Sequence, residues 1–148
     1  MGLQSSIEIK GIFLNNKTLF DFLKELPLKI KLVHNGELQI GINDDNGIFD
    51  ECKYISFTEQ SNRQTLDFIQ KQKKLATLFI GIELDSEWHF FDFFFSNSSN
   101  SIDFSIVGNR KKIDHRYTDF SFYYKHLVKI LVREDFQIGS INYTDLDF

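Results

Sequence analysis

Apolar positions along this chain recur with two different periods, and the switches between them divide it into elements. Alternation with period two predicts strands over 7–14, 28–33, 37–43, 76–84, 87–96, 101–107 and 136–143, with a further extended piece over 52–57. Spacings of three and four predict helices over 17–26, 62–74 and 119–134. In the first helix Leu19, Phe22, Leu23 and Leu26 form a one-sided stripe, and Pro27 ends it. Ser61 with Gln64 reads as a capping box opening the second. The third carries Phe120, Tyr123, Tyr124, Leu127, Ile130 and Leu131 on one face, which must be buried. The expected fold is α+β: a twisted, mainly antiparallel sheet of about six to seven strands with three helices, the last (119–134) packed across the sheet.

A slip of one residue moves every side chain of a strand to the opposite face, so loop lengths can be chosen by consistency. For the Asn35-Gly36 turn, a two-residue loop sets Lys31 against Ile40 and Lys29 against Ile42. A three-residue loop His34-Asn35-Gly36 instead pairs Leu32, Ile30 and Leu28 with Leu38, Ile40 and Ile42, and is the expectation. Asp85-Ser86 as a two-residue turn pairs Leu78 with Phe93, Ile80 with Phe91 and Ile82 with His89. A four-residue loop 97–100 then pairs Phe95 with Ile102, Phe93 with Phe104 and Phe91 with Ile106. The opposite face is left with Phe79, Glu83, Trp88, Phe90, Asp92, Phe94, Asp103 and Ser105, Phe90 lying across from Gly81. It is both aromatic and acidic.

At 148 residues, and without a repeat or a Pro/Gly-rich linker, the chain reads as one domain, 1–148. Its 17 Phe, 5 Tyr and 1 Trp are the departure from average composition and favour strands. Cys52 is the only cysteine, so there is no intrachain disulfide, and the absence of a long apolar run or a secretory leader makes a cytoplasmic setting without a membrane the expectation. Met1-Gly2 with Ser6 fits a bare myristoylation pattern but leaves almost no spacer before the strand at Ile7, so it reads as a polar lead-in. The formal net charge of -4 argues against nucleic acid as the main partner and leaves a basic protein open.

Few residues suggest chemistry. Asn43-Asp44-Asp45-Asn46-Gly47 looks like the middle of a calcium loop, but Ile42 and Lys53 occupy its outer ligand positions, leaving a polar turn. The basic stretch 109–117 holds Arg110, Lys111, His115 and Tyr117, and with His126 it is the material from which a metal-independent nuclease would be built; a solvated loop is the simpler reading. Cys52 reads as a buried structural thiol and His89 as a packed core histidine. No phosphate loop, metal-spaced set or nucleophile elbow appears, so neither cofactor nor metal is expected, and the chain does not read as an enzyme.

In size, charge sign, aromatic content and lack of catalytic motifs the chain resembles the immunity proteins that neutralise bacterial antagonistic toxins, such as those of contact-dependent inhibition. The resemblance is one of general character and transfers no residue. It implies a protein partner, a cognate basic toxin that degrades nucleic acid, occluded by a rigid surface. Read from the register, that surface is Phe79, Glu83, Trp88, Phe90, Asp92, Phe94 and Asp103, with Trp88 and Phe90 as anchors; the simpler reading of the same face is that a helix or another strand layer covers it and the carboxylates sit at the rim. An RNA-binding sheet is the further alternative, opposed by Glu83, Glu87, Asp92 and Asp103.

Overall fold

The computed structural model describes residues 3–95, 101–131 and 136–147. The strands are β1 (Leu3–Phe13), β2 (Ile30–Lys31), β3 (Val33–His34), β4 (Glu37–Asn43), β5 (Phe49–Ser56), β6 (Leu75–Leu84), β7 (Glu87–Phe94), β8 (Ser101–Gly108), β9 (Lys112–Ile113), β10 (Tyr117–Thr118) and β11 (Phe136–Asp147). Among the described residues nine of them form one sheet in the order β11-β1-β8-β7-β6-β4-β3, with β2 on β6 and β5 on β4; β9 and β10 form a separate ribbon. Every ladder is antiparallel. The strand predicted to begin at Ile7 begins at Leu3, and the extended piece at 52–57 is a full partner of β4.

The helices pack on one face of the sheet. Helix α1 (Leu19–Lys24) opens on a capping box between Thr18 and Asp21, and α2 (Asn62–Gln70) opens with the Ser61 hydroxyl accepting the Gln64 N–H. The last helical segment runs through α3 (Phe120–Tyr123), a π turn (Tyr124–Val128) and α4 (Lys129–Leu131). Leu19, Leu23, Leu66, Ile69, Tyr123, Leu127 and Val128 share one core with alternate strand residues such as Ile9, Ile40, Ile80, Phe91 and Phe104. Tyr124 departs from expectation: it is exposed, while Val128, at the far end of the wider π turn, is fully buried beside Leu127.

The Asp85-Ser86 hairpin has the expected register, with Leu78 opposite Phe93, Ile80 opposite Phe91 and Ile82 opposite His89; Phe93 faces Phe104 and Phe91 faces Ile106 on β8. The loop expected at 97–100 lies outside the described residues. The Asn35-Gly36 hairpin corrects the reading. It is a two-residue loop, both residues at positive φ, pairing Val33 with Leu38 and His34 with Glu37. The charge conflict that disfavoured this register does not arise, because the chain leaves β4 at Leu32 and residues 30–31 pair with β6 instead. Leu32 and Val33, adjacent in sequence, are both buried as a result.

The polar 43–47 stretch is the turn expected of it: the Asp44 carboxylate accepts the N–H groups of Asn46 and Ile48, and Gly47 takes a positive φ. Residues 112–117 are exposed, as expected of a solvated loop, and carry the short β9–β10 ribbon, while Thr118 at its end is buried. Asp145 of β11 accepts from Ser5 Oγ at 2.5 Å, Thr118 Oγ1 at 2.6 Å and Thr118 N at 2.9 Å, clamping this segment to the sheet edge.

Candidate functional site

The face opposite the helices is built by every second residue of β6, β7 and β8. Glu83 pairs with Trp88, Gly81 with Phe90, Phe79 with Asp92 and Thr77 with Phe94; on the other side of β7, Asp92 pairs with Ser105 and Phe94 with Asp103. The seven residues read from sequence as a partner surface therefore lie on one face. None of its four aromatics belongs to the core cluster or packs against it.

They do not form one uniform surface. At the centre the Phe79 and Phe90 rings stack at 5.7 Å with planes 4° apart. Phe90 crosses glycine on both neighbours: a Cβ on Gly81 would come within 3.1 Å of its ring, and one on Gly108 within 3.0 Å. The His34 ring caps this stack edge-on, 4.7 Å from Phe79 and 5.9 Å from Phe90. Burial, reinforced by the nearby Lys31 charge, lowers the His34 pKa, so the ring sits there neutral. Sequence reasoning placed His34 in a three-residue loop and so missed this role; the two-residue turn is what brings it over the sheet.

Trp88 lies at one end, 37% exposed, beside a cleft of about 300 Å³ bordered by Ile30–Val33 and Glu59, Gln60 and Asn62. Its carbonyl accepts from Asn109 Nδ2 at 2.9 Å. Glu83 beside it is 3.9 Å from Lys29 Nζ. At the opposite end Phe94 is 43% exposed. Asp92, half-buried between Phe90 and Phe94, has no hydrogen-bond or ion-pair partner among the described residues, and burial pushes its carboxyl above the usual carboxylate range. Asp103 is raised too, first by burial and then by the charge of Glu8 directly across the ladder; Ser101 donates to one of its oxygens, and the other is buried without a partner. Two carboxylates of this face are thus held in surroundings that disfavour their charge, which a cation would relieve.

Cys52 corrects another expectation: the thiol is exposed on β5, opposite Gly41, not buried. Phe49, on the same strand, is exposed as well. Phe49 faces Asn43 and Cys52 faces Gly41, so both reach this face only through the register shift between Ile42 and Asn43, which period-two reading from the Asp44–Gly47 turn does not give. His89 is fully buried on the core side against Phe122 and Tyr123, with neither ring nitrogen hydrogen-bonded.

The basic stretch is drawn into structural contacts. Arg110 donates to the Arg116 carbonyl at 2.7 Å and to Thr118 Oγ1 at 3.1 Å; Lys111 pairs with Glu87 at 2.8 Å and lies over the Phe122 ring, and its N–H is accepted by the Tyr123 hydroxyl, whose pKa burial pushes up to about 12. His115 stands in the exposed turn between β9 and β10, and His126 packs on Phe122. Among the described residues no three His, Cys, Asp or Glu side chains gather as a metal site, and no helix is long and apolar enough to cross a membrane. Compared with protein-family models, curated proteins and solved structures, the chain matches none.

Proposed function

We propose that this chain is a non-catalytic protein-binding domain, an immunity protein that neutralises a basic, nucleic-acid-degrading toxin by covering its active surface. The supporting observation is the aromatic and acidic face outside the helix-covered core, where Trp88 and Phe94 stay open to water and Asp92, near Phe94, has no ion-pair partner among the described residues. Aromatics with a rigid backing make good interface anchors, and carboxylates steer a basic surface and stand where its nucleic-acid phosphates would. Because Phe90 lies under His34, the anchor role falls to Trp88 and Phe94.

The test is affinity capture from the cells of origin, followed by assay of the captured protein on nucleic acid. Trp88→Ala and Phe94→Ala should each weaken capture about tenfold or more while shifting the urea midpoint little. Equal losses of binding and stability would return both rings to the scaffold. A captured partner that stays fully active when saturated refutes occlusion. Degradation of RNA by the purified chain without added metal, abolished in His115→Ala, would replace this reading with a nuclease.

A further inference from the structure

At the Phe94 end of the same face the sheet is hollowed over Gly41. A Cβ on Gly41 would lie 2.3 Å from Thr77 Oγ1 and 2.6 Å from the Phe49 ring, so only glycine lets these side chains close in on the strand. The hollow, about 260 Å³, is lined by Gln39, Phe49, Cys52, Thr77, Asp92 and Phe94 together with Ile40. Asp92 is the one charged group in this lining, and it has no partner among the described residues. Lys74, the cation lining the neighbouring cleft that shares Phe49, Thr77 and Phe94, is paired with Asp45. An unpaired carboxylate set among aromatic walls is a site for an organic cation. A metal ion would require several oxygen ligands, and the lining offers a single carboxylate.

We propose that this hollow receives an arginine side chain of the partner, its guanidinium on the Asp92 carboxylate and its flat face against Phe49 or Phe94. The proposal rests on the reading that this face binds a basic protein, and it identifies what that protein inserts. Arginine fits better than lysine: its charge is planar, weakly hydrated and able to stack on a ring while forking to a carboxylate, and Gln39 and Thr77 offer further acceptor oxygens. Binding would supply the counter-charge that Asp92 lacks within the fold.

Titration of the isotope-labelled chain with argininamide tests this by NMR without any partner, with citrullinamide as the uncharged isostere and lysinamide as the other cation. Argininamide should shift the amides of Gly41, Thr77 and Phe94 saturably. Asp92→Asn and Phe49→Ala should each weaken it about tenfold. Asp92 has no bond to lose and its charge is disfavoured by burial, so Asp92→Asn should not lower the unfolding midpoint, and Phe49→Ala, at a half-exposed ring, should lower it only slightly. Equal shifts from citrullinamide, or unchanged affinity in Asp92→Asn, would overturn the site, and equal affinity for lysinamide would overturn the arginine assignment. Partner capture that falls in Trp88→Ala but not in Asp92→Asn would sink the arginine hollow alone; capture indifferent to both would sink the binding face itself.

Discussion

Asp145→Ala removes the acceptor that holds the 109–118 segment to the sheet edge, and its effect can be worked from the contacts. The carboxylate accepts from Ser5 Oγ, Thr118 Oγ1 and Thr118 N, and Ser5 and Thr118 are both buried. A hydrogen bond to a charged group contributes roughly 1.5–3 kcal/mol net. The total is less than three times that, because Asp145 is itself partly exposed and the two hydroxyls, 2.6 Å apart and each giving its single proton to Asp145 in the parent, can bond each other once it is gone, while Arg110 still reaches Thr118 Oγ1. The uncompensated loss is chiefly the Thr118 N–H, so about 2–4 kcal/mol is expected from urea unfolding at neutral pH. The pH dependence provides the sharper check. Burial acts to raise the Asp145 pKa, but the hydrogen bonds from Ser5 and Thr118 and the charge of Arg110 outweigh it, leaving a value below normal. A carboxyl depressed in the folded state stabilises fully above its unfolded pKa of about 3.9 and loses that contribution as pH falls through its folded value. The difference between parent and variant should therefore be full at pH 6 and shrink toward pH 3. A penalty below about 0.5 kcal/mol at neutral pH, or one that does not shrink in acid, would refute the clamp.

Gly11→Ala should destabilise by about 2 kcal/mol or more, read as a lowered urea midpoint, because the new Cβ would lie 2.2 Å from the Gln137 carbonyl oxygen at the bulge between β1 and β11; an unchanged midpoint would show that the bulge relaxes freely. His89→Leu should be neutral or stabilising by about 1 kcal/mol at pH 7, since it replaces two buried ring nitrogens that have no hydrogen bond. Burial, with a smaller contribution from the Lys111 charge, holds the His89 pKa below the ordinary value, so below about pH 6.5 the unfolded chain takes up a proton that the folded chain refuses. Parental stability should fall as pH drops from there; the variant should fall less steeply, His34 retaining its own share, and identical slopes would contradict a neutral buried His89.

Much of the sheet was legible because it is a problem of parity. Along β6, β7 and β8 apolar residues occupy both faces, but the charged and glycine positions Gly81, Glu83, Asp92 and Asp103 share one parity, so a short turn at Asp85-Ser86 leaves the other face free of charge beyond Glu87 at the turn, and the aromatic and acidic set follows. The helices were legible by the same logic, from stripes that must lie on something, although Tyr124 stands exposed and a π turn interrupts the last one. Parity failed where a strand changes partners. The Asn35-Gly36 hairpin looked wrong because Lys31 and Lys29 were assumed to stay beside β4, whereas the chain turns at Leu32 and joins β6. Likewise nothing local in Phe49-Asp50-Glu51-Cys52 announces an exposed strand with no alternation, and β5 owes its place to pairing with β4. The sequence by itself thus determined which residues share a face, since side-chain direction follows from backbone period alone. Only the tertiary structure decided what stands over that face, His34 on the Phe79–Phe90 stack and a hollow beside Asp92 and Cys52, because those contacts join strands whose pairing depends on long-range packing.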